Sequence, residues 1–206
     1  MTEHPKFAAA DHDVHELIRR RWSPRAFDAA RPVPRTELMR LFEAARWAPS
    51  SFNEQPWRFL VLERDESPGS SWRALMSTLT PRNQSWASAA PVLVLVAVKP
   101  TFDQDGSVNQ VAWYDAGQAV AFLSLQATAQ GISLRQMEGF DRDAARAAVQ
   151  LAAGFEPAVV MAVGYAGEPE SLAIEKHREA ERKPRQRRAV EEIVEFVRAE
   201  LTEGTE

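Results

Sequence analysis

Residues 48–59 read APSSFNEQPWRF, and residues 21–27 read RWSPRAF. In the first stretch Pro49 and Pro56 bracket Ser50, Ser51, Asn53 and Gln55. Proline removes an N–H donor and short polar side chains bond to nearby backbone, so 49–56 is predicted to be a structured loop. Upstream of it, Leu38, Leu41, Phe42 and Ala45 fall at helical spacing and predict a helix over 36–47 that Pro49 ends. Downstream, 57–63 (WRFLVLE) reads as a strand. The second stretch also leaves a helix: Val14, Leu17 and Ile18 share a face, and Pro24 stops the helix from running on. Arg19, Arg20, Arg21, Ser23 and Arg25 therefore enter a turn, where guanidinium groups and a hydroxyl can meet a phosphate monoester bidentately. On composition alone the simpler reading is a solvated basic face.

Working outward, Ser67-Pro68-Gly69 marks a polar insert, followed by predicted helices over 72–79 and, briefly, 84–89. Residues 91–98 (PVLVLVAV) are continuously apolar and valine-rich, the pattern of a strand covered on both faces at the centre of a sheet. The longest helix is predicted over 111–130, with Trp113, Ala116, Val120, Leu123 and Ala127 on one side and small residues scattered through it. Strands follow over 132–137 and 158–165, separated by a helix over 142–152 with Asp141 as its cap. Residues 167–188 are charged and lack strong periodicity, so they are predicted to be an extended arm. Val190, Ile193, Val194, Val197 and Leu201 predict a terminal helix that needs a surface to dock on. The expected architecture is α+β, three layers in an α/β/α order around a mixed, mainly antiparallel sheet. It is expected to be one domain over 1–206, with a flexible stretch over 1–12.

At 206 residues and 45% hydrophobic, the chain can bury one sizeable core. The absence of cysteine excludes disulfides, thiolate nucleophiles and cysteine-ligated metals, so any redox chemistry needs a bound cofactor. His4, His12, His15 and His177 all lie in polar terminal or arm segments, which disfavours a zinc site. Neither a nucleophile elbow around Ser50-Ser51 nor a glycine-rich phosphate loop is present. A net charge of −4 argues against a nucleic-acid partner. No apolar run is long enough to span a bilayer and the N-terminus carries no leader pattern, so no membrane partner and a cytoplasmic location are expected.

Taken together, RWSPRAF and APSSFNEQPWRF resemble the FMN-dependent nitroreductase family, whose members carry an Arg-x-Ser-x-Arg-x-Phe-like start and a Pro-Ser-x-x-Asn-x-Gln-Pro-Trp loop. The likeness continues through 83–98, Tyr114-Asp115-Ala116-Gly117, Gln136-Met137-Glu138-Gly139-Phe140-Asp141 and the basic stretch 187–193. The order and spacing of these pieces are more specific than any one of them.

Position by position, the resemblance implies that Arg21, Ser23 and Arg187 lie near the FMN phosphate, with Arg185 or Arg188 able to substitute for Arg187, and that Trp22 is among the cofactor-binding residues. It implies that Arg25 lies beside the pyrimidine side of the ring and favours the anionic reduced form. Pro49, Ser50, Ser51 and Asn53 would approach the ring from the partner subunit, and Asn83 would make a polar contact, with a slip of one residue possible. Gln136, Met137, Glu138 and Gly139 would line the ring, with backbone N–H groups towards N5. No dedicated catalytic side chain is implied; Glu138 and Gly139 are the nearest protein groups to the reacting atom. Ser50 and Asn53 could equally brace a turn, Gly139 could relax one, and Trp57 reads as core.

The chain departs from the family pattern at Trp22, Pro24, Phe52, Glu54 and Ala189; Phe52 and Glu54 bear on the substrate. The implied activity is ping-pong hydride transfer from NADH or NADPH through flavin N5 to a nitroaromatic, quinone or related small acceptor. The implied assembly is a homodimer that exchanges its C-terminal arm. Rival readings are a flavoprotein doing dehalogenation, dehydrogenation or flavin breakdown, and a non-catalytic FMN-binding protein.

Overall fold

A computed structural model describes residues 5–197. The central strand β2 (Val92–Val98) is buried at every position. Its alternation assigns the two faces of the sheet: Val92, Val94, Val96 and Val98 point into one hydrophobic cluster, Leu93 and Leu95 into another. The first cluster is closed by helices α2 (Arg35–Arg46) and α5 (Ala112–Ala129), through Leu38, Leu41, Ala45, Ala116, Val120 and Leu123. The second is closed by α3 (Ser71–Thr78), α4 (Pro81–Ala87) and α6 (Arg142–Ala148), through Trp72, Leu75, Trp86 and Ala145. The three predicted layers result.

The sheet contains β1 (Trp57–Glu63), β2, β3 (Ser133–Met137) and β4 (Glu156–Gly164), in the order β1-β2-β4-β3. Every pairing among the described strands is antiparallel, so the expected parallel component is not found there. Trp57 pairs with Val98, Val92 with Val163 and Ser133 with Gly164; the β2–β4 register shifts between Val96 and Ala97.

Several element boundaries differ from those predicted. Helix α4 begins at Pro81, whose missing N–H costs nothing in a first turn, and therefore starts ahead of Gln84. Helix α6 ends at Ala148 because Gln150 turns to a left-handed φ of 50°. Trp113 is 48% exposed, since Ala112, Ala116 and Ala119 form the buried stripe of α5.

The predicted extended arm is in fact folded. A 3-10 turn at Pro169–Ser171 leads into α7 (Glu175–Arg182), whose buried residues are His177 and Glu181. These stand four apart on one helical face, but both are polar, so no hydrophobic periodicity marks the helix. His177 is thus buried, not part of a mobile tail. Within the stretch predicted to be flexible, Lys6 is buried too; its ammonium donates to the carbonyls of Ala180 and Lys183, at 2.5 Å each, and so caps the C-terminus of α7. The predicted terminal helix reaches only a 3-10 turn at Val190–Glu192, after which 194–197 carry no regular structure. Ile193, Phe196 and Val197 are exposed there, so no packing supports a helix. Leu201 lies outside the described residues.

Candidate functional site

The first helix, α1 (Glu16–Arg20), ends in the arginine run. Its last carbonyls have no helical partner, and Arg185 supplies one. The Arg185 guanidinium donates Nη1 to the carbonyl of Arg21 at 2.5 Å and Nη2 to that of Arg19. Arg21 in turn donates Nη1 to Ser23 Oγ at 3.1 Å. Arg21 and Arg185 bind their protons less tightly than ordinary arginines, first because they are buried; Arg21 then repels Arg185, and Arg187 repels both. None of Arg21, Arg185 and Arg187 pairs with a carboxylate among the described residues, and the buried Nε of Arg185 has no partner. Crowded cations, Arg21 and Arg185 among them desolvated, that no carboxylate among the described residues answers favour a bound anion. Arg187 and Arg188 are both exposed, but only Arg187 is close enough to repel Arg21 and Arg185.

A cavity of about 320 Å³ gathers Arg25, Asn83, Gln136, Met137, Glu138 and Gly139, with Thr80, Arg82 and Arg135. The N-terminus of α4 closes it, because Thr80 N–H donates to the Gly139 carbonyl at 3.0 Å and Asn83 Nδ2 to the same oxygen at 3.1 Å. A Cβ on Gly139 would stand 3.1 Å from both Asn83 Nδ2 and Thr80 Oγ1, so a hydrogen at that position keeps the wall tight. Glu138 points outward, 3.7 Å from Arg142.

Behind the cavity the charges are dense. Arg135 donates Nη1 to the Ser23 carbonyl at 2.6 Å and lies over the Trp86 ring. Burial, with Arg25 and Arg82 adding repulsion, lowers its pKa to about 10. Arg25 is pushed down by burial and by Arg82, with Glu181 opposing. That carboxylate, on α7, lies 3.8 Å from Arg25 Nη1.

The 49–56 loop lies elsewhere in the chain. Ser51 N–H donates to Asp115 Oδ2 at the start of α5, and Ser50 Oγ accepts the Gln55 N–H, both at 3.0 Å. Phe52, Asn53 and Gln55 all adopt left-handed φ, at 52°, 56° and 51°. Phe52, 90% exposed, stands edge-on to Phe102, and Glu54 accepts the Asp103 N–H. The structure therefore does not bring Pro49, Ser50, Ser51 or Asn53 to the Arg25 cavity within one chain. Trp57 is core, as read from the sequence.

The family model of the Nitroreductase family matches residues 18–165, which include the arginine turn, the loop and the Gln136–Gly139 wall. The chain belongs to the nitroreductase family. A solved structure described as an oxidoreductase containing FMN superposes with a TM-score of 0.85 at 30% identity, covering 96% of this chain and 98% of that one. An uncharacterized 15.4 kDa protein of Mycolicibacterium smegmatis is 31% identical over 140 residues, 66% of this chain and 92% of that one. The major NAD(P)H-flavin oxidoreductase of Aliivibrio fischeri is 29% identical over 94 residues, 46% of this chain; the match spans only 43% of that relative's length.

For a nitroreductase-family chain, the residues present fit the FMN that the resemblance implies. The unpartnered Arg185 Nε and uncompensated Arg21 and Arg187 suit a phosphate, and the glycine-walled cavity suits a flat polar ring edge. Sequence reasoning missed Arg82, Arg135 and Glu181. Arg135 was within reach, since period two places it on the strand face of Met137, towards the cavity side of the sheet. Glu181 carried no comparable signal. Among the described residues no cluster of His, Asp and Glu could hold a metal, and no helix is long and apolar enough to cross a membrane.

Proposed function

We propose that this nitroreductase-family chain is an FMN-dependent NAD(P)H oxidoreductase that reduces nitroaromatic, quinone or related small acceptors and works as a homodimer. The observation that carries the reading is the pairing of two features: an arginine cluster without a counter-ion, and a cavity walled by Arg25, Asn83 and Gln136–Gly139. When bound, the flavin supplies the redox chemistry, taking hydride at N5 from NADH or NADPH and giving it to the acceptor.

The chain's own residues hold, orient and tune. Arg21, Ser23, Arg185 and Arg187 take the phosphate, with Trp22 beside them; Arg188 is dispensable. Arg25 and Asn83 meet the polar edge of the ring, and the N–H groups of Glu138 and Gly139 face the reacting side. The loop of Pro49, Ser50, Ser51 and Asn53 completes the site from a second copy. Two surfaces support that assembly: Trp113, Tyr114 and Phe122 along α5, and the apolar Ile193, Val194, Phe196 and Val197 of the C-terminal arm. The arm crosses to the open β1 edge of the partner, where Met39, Phe42, Phe59 and Val61 line a groove.

The test is the colour of the purified protein. A yellow solution with flavin absorption, bleached anaerobically by NADH or NADPH and recoloured by a quinone or nitroaromatic, is the expected result. A colourless protein that cannot be reconstituted with FMN ends the proposal.

A further inference from the structure

The charge that Arg25 brings to the cavity is already engaged from behind. Glu181 Oε2 accepts the Arg25 N–H at 3.1 Å and the Ala26 N–H at 3.5 Å, while Oε1 lies 3.8 Å from Arg25 Nη1. One carboxylate thus holds both the backbone and the head group of the same arginine. Its side chain is 2% exposed, so water hardly screens the contact. Lys6 and Arg135 feel the same negative charge, and the nearest cavity carboxylate, Glu138, turns away to Arg142. A carboxylate needed only to brace the turn at Arg25-Ala26 could be an amide, which accepts the same N–H bonds without the cost of burying charge.

We infer that Glu181 is a positioning residue for Arg25: it fixes the guanidinium at the cavity wall, offsets part of its charge, and through it sets how strongly the site favours anionic reduced FMN. The inference rests on the FMN reading above. Helix α7 then serves both ends of the site, with Glu181 behind Arg25 and, just past its end, Arg185 against Arg21.

Glu181→Gln keeps the shape and both backbone bonds while removing the charge. Its FMN should favour the reduced over the oxidised form about fivefold more than wild type does, read as a more positive reduction potential. In an Arg25→Met background the same substitution should change that ratio less than about twofold, because the arginine through which Glu181 acts is gone. An unchanged or more negative potential in Glu181→Gln, or an undiminished shift in the Arg25→Met background, overturns the inference. If Glu181→Gln does not fold, the paired variant, which buries neither charge, is compared with Arg25→Met alone; differing potentials there overturn it equally. Wild-type protein that takes up no FMN sinks the functional reading instead, so the two failures are distinct.

Discussion

Arg21, Arg185 and Arg187 crowd together with no carboxylate between them, whereas Arg25 and Arg135 share the buried charge of Glu181. The two clusters are built from the same residue type and meet in one turn, at Arg21 and Arg25, yet they differ in electrostatic balance. In the first, among the described residues, the groups that answer the guanidinium groups are carbonyl and hydroxyl oxygens, which carry partial charges. In the proposed reading a bound anion completes such a cluster, and its contribution is affinity. The second is partly offset within the protein, by one buried carboxylate against Arg25 and Arg135 with Arg82 beside them. Its contribution is a field of set strength across the cavity.

The sharpest way to break this contrast is to remove one arginine from each side. Arg21→Ala should weaken FMN binding by on the order of 100-fold, the loss of one charge-assisted contact worth about 2–3 kcal/mol. Arg185→Ala should match it and also lower thermal stability, because the Arg21 carbonyl loses its donor, while the Ala8 N–H still serves that of Arg19. Arg25→Ala, by contrast, should weaken binding less than about tenfold and shift the reduction potential to a more negative value. Fluorescence titration of apo protein with FMN, together with potentiometry, reads both quantities. Equal losses of affinity at Arg21 and Arg25 with no change in potential would erase the distinction.

A gentler probe needs no flavin. Inorganic phosphate should protect the apo protein from thermal unfolding through the uncompensated cluster, by about 1.4 kcal/mol at ten times its dissociation constant. Arg21→Ala should abolish the protection, and Arg25→Ala should leave it. Protection that survives Arg21→Ala would place the anion elsewhere, with Arg82 and Arg135 the first candidates.

The uncompensated cluster was the more legible of the two, because its arginines are dense in the sequence and the turn after Pro24 could be read directly. Strand β2 and the helices α2 and α5 were legible for a similar reason: their apolar residues repeat at two or at 3.6 and meet a single core. Helix α7 was not, since its buried pair is His177 and Glu181 and no hydropathy pattern flags a polar face. The partly offset cluster was therefore seen only in part, with Arg25 read as a lone charge and its partner hidden in what looked like an arm. The choice among Arg185, Arg187 and Arg188 also needed three dimensions, because only the path of the chain after α7 decides which guanidinium groups reach α1. The loop at 49–56 was legible as a loop, but its distance from Arg25 within one chain was not.

The smallest expected effect lies in the alkaline range and reports on the balance around Arg135. Its pKa falls to about 10, well below the ordinary arginine value, chiefly through burial and then through Arg25. A cation with a lowered folded-state pKa is disfavoured by folding while it is charged. The cost is therefore present in full below about pH 10 and is relieved as pH rises above it, where the unfolded chain still holds the proton that the folded chain has lost. Other groups titrate in the same range, so the informative quantity is a difference. Arg135→Met removes this one titration, and the stability of wild type relative to the variant should rise with pH above about 10. Urea unfolding of both proteins across that range measures it, and partial exposure of the group keeps the slope shallow. Adding FMN should flatten the slope further, because an electron-rich ring edge in the cavity restores the charged form. A slope that is absent in the apo protein would mean that Glu181 stabilises the Arg135 cation enough to cancel its burial and the repulsion from Arg25 and Arg82.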